Sequence, residues 1–325
     1  MEENFFEPRA DLSALRQTVE ALKQEIGKVI VGQDQMIELL LAAILSGGHA
    51  LIEGAPGVAK TLTAKLLSRT ISIGFSRIQF TPDLMPSDVI GTMVFNPRDT
   101  SFQFKKGPIF TNIALIDEIN RAPAKTQAAL FEVMEERQVT VDGETYLLSD
   151  PFIVVATQNP IEHEGTYRLP EAQLDRFLFK INVSYPTPEQ ELQVLINHHQ
   201  SNLSDMIGLT KPVANSMDIA QLREQARNIH VENKLIDFIV AIVSSTRKHK
   251  AIYLGASPRA SIGILNGAKA IAAMRGRDFV TPEDIIYVAL PVLRHRIALS
   301  PEKEMEGASA DDIITQIIKD IEVPR

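Results

Sequence analysis

The chain has 325 residues, 45% of them apolar and 23% charged, a mixture that buries a sizeable core and excludes a disordered or membrane-embedded class. Its 33 basic and 41 acidic side chains leave a net charge of −8, which argues against binding long nucleic acid through a general basic surface but leaves room for a small basic pore. Cysteine is absent, which excludes disulfides and thiolate metal sites and suits a reducing compartment.

In chain order, the first ten residues, MEENFFEPRA, are polar and acidic with no apolar signal core, and they read as a loose arm of a cytoplasmic protein. The longest apolar run, LLLAAIL at 39–45, falls far short of a bilayer span and predicts a buried helix. Up to residue 185, short apolar runs alternate with helical patterns, as in a parallel sheet covered by helices. The expected strands are 49–54, 75–80, 112–118, 151–159 and 177–185.

After the first strand comes GAPGVAKT, close to the phosphate-loop pattern G-x-x-x-x-G-K-[ST] but with Ala59 before the lysine. Such a loop turns tightly so that its N–H groups converge on an anion at a helix N-terminus. Gly54 and Gly57 supply the turn and Pro56 stiffens it. Lys60 meets the β and γ phosphates as a point charge, and the Thr61 hydroxyl is a magnesium ligand. Ala59 costs only a methyl, provided its φ is negative. A glycine-rich turn with an ordinary surface lysine is the plain alternative; the order strand, loop, lysine, hydroxyl, helix speaks against it.

The segments 92–104 and 137–148 read as hairpins inserted into the core, the second turning at Asp142-Gly143. Between them, the strand IALIDE ends in Asp117 and Glu118, paired acids that need a cation nearby. Asp117 suits a magnesium held through water, and Glu118 suits the orientation of an attacking water. The helix PAKTQAALFEVMEE follows, with Pro123 in its first turn and Leu130, Val133, Met134 and Arg137 at helical spacing. VVATQNP ends the next strand with Asn159 in reach of the same crevice, an Asn-Pro turn being the alternative. Arg176, in LPEAQLDRF, and Arg259, in GASPRAS, are candidate γ-phosphate guanidiniums, each with an ordinary salt bridge as its alternative.

The prolyl stretch 185–189 then marks a change of texture. Beyond it helix periodicity dominates, which divides the chain into a nucleotide-binding core with an N-terminal helix, 1–185, and a helical domain, 186–325. TPEDI at 281–285 opens one of its helices with a capping threonine, a proline and first-turn acids.

VGQ at 31–33, GAPGVAKT, LIDEINRAPAKTQAALFEVMEERQVT, ATQNP and LPEAQLDRF together resemble the MoxR family of AAA+ ATPases, in the helix 2 insert branch that also holds magnesium chelatase subunits. The resemblance runs from Val31 to the C-terminal helices, and in that family alanine before this lysine is usual. It implies a P-loop NTPase AAA+ core, a five-stranded parallel sheet in an αβα sandwich with two inserted β-hairpins, and a C-terminal all-α lid. It implies ATP and Mg²⁺ as cofactors. Gly54, Ala55, Pro56, Gly57, Val58, Ala59, Lys60, Thr61 and Leu62 would cradle the phosphates, Val31, Gly32 and Gln33 would lie near the adenine, and Thr61 and Asp117 would hold the metal. By the same resemblance Glu118 is the catalytic acid, Asn159 sensor 1, Arg176 an arginine finger acting in trans and Arg259 sensor 2.

Members of the family form rings, most often hexamers, and act as chaperone-like ATPases that remodel, assemble or insert metal cofactors into clients, often with a von Willebrand A domain partner. That partner domain needs D-x-S-x-S; Asp11 to Leu15 fails at the last position, so such a partner acts in trans. The competing expectations are a helicase-type nucleic-acid motor, favoured by Lys105 and Lys106 alone, and an assembly switch with little turnover. A GTPase fails for want of an N-K-x-D motif.

Overall fold

The computed structural model describes residues 11–98, 100–159, 167, 169–200 and 202–324; the expected loose arm, 1–10, lies outside them. The elements run α1 (Ser13–Gly27), α2 (Asp34–Ser46), β1 (Ala50–Gly54), α3 (Lys60–Thr70), β2 (Phe75–Gln79), α4 (Pro86–Ile90), β3 (Gly91–Asn96), β4 (Ser101–Lys106), β5 (Ile113–Asp117), a 3-10 turn (Ile119–Arg121) and α5 (Ala124–Glu136). Then come β6 (Gln138–Val141), β7 (Glu144–Leu147), β8 (Ile153–Gln158), α6 (Glu171–Leu174), β9 (Phe179–Val183), α7 (Pro188–Gln200), α8 (Leu203–Leu209) and α9 (Ser216–Arg227). The chain closes with α10 (Asn233–Thr246), β10 (Ile252–Leu254), α11 (Pro258–Met274), α12 (Pro282–Leu293), β11 (Ala298–Leu299), α13 (Pro301–Met305) and α14 (Ala310–Asp320).

The chain packs as two compact units, one of residues 22–40 and 47–220, the other of the segments up to 21, 41–46 and from 221 on. Texture and packing divide it at different places. Composition changes at the prolyl stretch, yet α7 and α8 group with the sheet, because the segment behind them is bonded back to α3: Arg69 donates to the Thr210 carbonyl at 3.3 Å and Val213 N–H to the Thr70 carbonyl at 2.7 Å. The apolar run in α2 is buried throughout, from Leu39 to Leu45. Among the described residues no helix is long and apolar enough to cross a membrane.

In the sheet unit five parallel strands stand in the order β2-β5-β8-β1-β9. IALID and IVVATQ are apolar almost without alternation because both faces of these strands are covered. Leu51, Ile116, Phe131, Phe152 and Phe177 belong to the core cluster built around them. Helix α5 is capped by Pro123 rather than containing it, and stops at Glu136; Arg137, expected to continue the helix, instead takes a left-handed turn with φ 53°. That turn launches the β6–β7 hairpin. The two insertions pair as antiparallel ribbons, and Phe104 of β4 stacks on Tyr146 of β7 with ring centroids 4.5 Å apart. At the far end of the first ribbon Phe95 and Phe102 stack on each other, both exposed.

In the helical unit Ala260, Gly263, Gly267 and Ala268 are buried on α11, small residues that let α12 approach closely. Thr281 caps α12, and the Asp284 carboxylate accepts its N–H at 3.0 Å while Arg275 and Arg277 close on it at 2.9 and 2.6 Å. The unit also carries one element that the expected all-α lid did not include, the short antiparallel pair β10–β11.

Candidate functional site

Strand order puts the C-terminal ends of β2, β5, β8 and β1 side by side, so whatever follows these strands shares one edge. The loop after β1 runs straight into α3. At Gly54 a Cβ would meet the Val183 carbonyl oxygen at 2.5 Å, so the loop leaves β1 through a gap only glycine fits. Gly57 has φ 84°. Ala59 does not have the negative φ that would have made its methyl free: it caps α3 in the left-handed region, φ 61° and ψ 19°. The turn that aims the loop N–H groups demands that conformation, and alanine adopts it under strain. Lys60 Nζ donates to the Gly54 carbonyl at 2.7 Å, which folds the lysine back over the loop.

From the facing strand, Asp117 is 4% exposed, and the Thr61 hydroxyl lies 3.4 Å from both of its carboxylate oxygens. The Thr157 hydroxyl donates to Asp117 Oδ1 at 3.0 Å and accepts the Glu118 N–H at 3.1 Å, locking the two acids to β8. Glu118 is itself left-handed, φ 56° and ψ 52°, so two strained non-glycine residues, Ala59 and Glu118, flank the crevice.

The cation that paired acids require is supplied by the protein. Arg77 Nε donates to Asp117 Oδ2 at 2.6 Å, while Arg121 and Gln79 donate to Glu118 Oε2 at 2.8 and 2.9 Å. Arg77 and Gln79 sit two apart on β2, paired in register with Leu115 and Asp117 and on the same face of the sheet. Sequence reasoning missed all three, although period-2 reading of FSRIQF shows a polar pair on one face of an otherwise apolar strand.

Beside the loop a cavity of about 540 Å³ is walled by Val29, Ile30, Val31 and Gln33, by Pro56 to Ala59 and Leu62, and by Tyr185 and Pro186. Its remaining wall, also missed, comes from α7 and α8 and includes Asn197, His198 and Met206. A largely apolar cavity of this size beside a phosphate loop suits a nucleobase. Gly32 has φ 76°, and a Cβ there would run into the Gln190 side chain. Gln33 donates to the Ser184 carbonyl at 3.5 Å.

A hydrated magnesium fits the donor set, one hydroxyl and one carboxylate on facing elements. Among the described residues no cluster of three or more His, Asp or Glu stands ready to cage a metal, so the ion would take its other ligands from phosphates and water.

Asn159 follows β8 directly, on the shared edge and half-buried. Arg176 is held by α5 of its own unit, donating to the Phe131 carbonyl and to Glu135, each at 3.0 Å. Arg259 is the second residue of α11 in the helical unit, exposed, its N–H donating to the Ser257 cap at 3.2 Å.

Residues 49–179 match the profile of the ATPase family associated with various cellular activities (AAA), and 244–317 match that of the AAA lid domain. The chain is 45% identical over 327 residues to a Mycobacterium tuberculosis protein named Chaperone MoxR1, covering 97% of this chain and 84% of that one. It is 46% identical over 301 residues to YeaC of Bacillus subtilis, covering 93% of each. A crystal structure of a candidate ATPase from Cytophaga hutchinsonii superposes with a TM-score of 0.89 at 43% identity, covering 97% of both chains.

Proposed function

The chain belongs to the MoxR family of AAA+ ATPases, and from that premise we propose that it hydrolyses ATP at the boundaries between subunits of a ring and uses the cycle to remodel, assemble or load a client protein. The observation that carries this reading is the meeting of Thr61 and Asp117 at the mouth of a phosphate loop, with Glu118 on the next residue. Lys60 and the loop N–H groups hold the β and γ phosphates, and the apolar cavity takes the base. Thr61 and Asp117 hold Mg²⁺, which when bound neutralises charge on the transferring phosphoryl group. Glu118, steadied by Arg121 and Gln79, orients and polarises the attacking water. Asn159 reads the γ-phosphate from β8, and Arg259 does so from the lid.

Arg176 completes the site of the neighbouring subunit. To reach a partner's phosphate it gives up its bonds to Glu135 and to the Phe131 carbonyl, which hold it in place in the isolated subunit. Loss of the γ-phosphate removes the contacts of Asn159, Arg176 and Arg259 together and biases lid and interface between two states. The inserted hairpins carry the motion to a client, with a von Willebrand A domain protein acting in trans. A relative named as a chaperone supports this reading.

The test is an ATPase assay on the oligomer. Glu118→Gln is expected to bind ATP while turnover falls about 10²-fold or more. Arg176→Ala is expected to fold normally and lose about 10³-fold or more. Hydrolysis by Arg176→Ala at the parental rate would overturn the shared site.

A further inference from the structure

Asp117 is buried and Arg77 is not. The carboxylate is 6% exposed and the guanidinium that neutralises it 55% exposed, on β2, one of the two edge strands of the sheet. Around Asp117, Oδ1 accepts from Thr157, Oδ2 accepts from Arg77 Nε at 2.6 Å, and the Thr61 hydroxyl lies 3.4 Å from each oxygen. A hydrated divalent cation seated between Thr61 and Asp117 must send its water hydrogens to these same oxygens. It would also stand within a few ångströms of the guanidinium. Two positive groups cannot share one buried carboxylate at that range without strong repulsion. Thr61 and Thr157 are neutral and fixed on α3 and β8; Arg77 is charged, long and open to solvent, with a weak second contact to Gln79 Oε1 at 3.5 Å.

From this geometry we infer that Arg77 is a displaceable counter-ion for Asp117: it neutralises the carboxylate until a divalent cation arrives with nucleotide, and then swings into solvent. It is therefore a positioning residue that sets how much metal the site requires. Without phosphates, the cation gains too few ligands to evict the guanidinium, so metal and nucleotide load together. The inference rests on the nucleotide site proposed above.

The test titrates Mg²⁺ into the 325-residue chain with a fluorescent ADP analogue, and follows thermal melting with and without Mg²⁺-ADP, for parental protein, Arg77→Gln and Arg77→Lys. In Arg77→Gln the Mg²⁺ concentration for half-maximal binding should fall about fivefold, the ratio for roughly 1 kcal/mol of removed competition. Its melting temperature should drop by a few degrees without ligand and return to the parental value with Mg²⁺-ADP, since in the loaded state neither protein has a guanidinium on Asp117. Arg77→Lys, which keeps the charge, should stay near the parental midpoint; a comparable fall there would overturn the inference, because the competing charge is still present. An unchanged or higher Mg²⁺ midpoint in Arg77→Gln, or an equal melting deficit with and without ligand, would mean a fixed bridge or a phosphate ligand, and the inference falls while the nucleotide site stands. No uptake of the analogue by the parental protein sinks both.

Discussion

Ala59 is where a single dihedral angle carries a cost. A left-handed L-residue pays about 1–2 kcal/mol relative to glycine, and glycine gives back about 0.4–1 kcal/mol through its freer unfolded chain. Ala59→Gly should therefore stabilise the protein by up to about 1 kcal/mol, and Ala59→Val should destabilise it by more than that, because a branched Cβ fits the left-handed region poorly. Denaturant titration of the two variants against the parent measures both; a glycine variant less stable than the parent would mean that φ is not the source of strain. The sequence pattern showed which residues form the loop, since Lys60 and Thr61 are contiguous with it. It could not show the sign of φ at 59, which is set by where the loop must exit β1 and enter α3. Arg77 escaped notice for a related reason: a polar residue on a strand face is ordinary until its neighbour across the sheet proves to be Leu115, two residues before the acid on the same face.

Among the elements, α14 shows how a helix end becomes sensitive to pH. The Ser309 hydroxyl and N–H both donate to the Asp312 carboxylate, at 2.6 and 3.1 Å, and hold it below the usual aspartate range. A carboxyl depressed in the folded state binds its proton more readily when unfolded. Its stabilisation is thus present above the unfolded value and is lost as pH falls through the folded one. Asp312→Asn should accordingly melt below the parent at pH 6, with the gap closing below about pH 4, as read from melting curves across that range. A gap that persists unchanged to pH 3 would assign the effect to something other than charge. The elements differ in how plainly they announced themselves. The second hairpin was legible because Asp142 and Gly143 both take positive φ, as the Asp-Gly pair requires. The β10–β11 pair was not, because three residues meeting two, more than forty positions apart, leave no period to read.

For the whole molecule, the proposal of a borrowed arginine has a consequence in mixtures. Arg176→Ala subunits keep an intact phosphate loop and lack a finger to lend; Lys60→Ala subunits have the reverse defect. Each preparation alone should be inactive, and mixing them should restore hydrolysis, because some boundaries then join a good loop to a good finger. Activity that stays at the sum of the two would show that loop and finger serve the same subunit. The chain-wide pattern of five strands was readable because buried parallel strands are continuous apolar runs, whereas the cavity wall from α7 and α8 was not: Asn197 and His198 reach the loop from some 140 residues away, and no local pattern records such a meeting. The stacking of Phe104 on Tyr146 makes a last point about mechanics. A ring pair near the roots of the two ribbons couples them mechanically, so a displacement of either insertion is passed in part to the other.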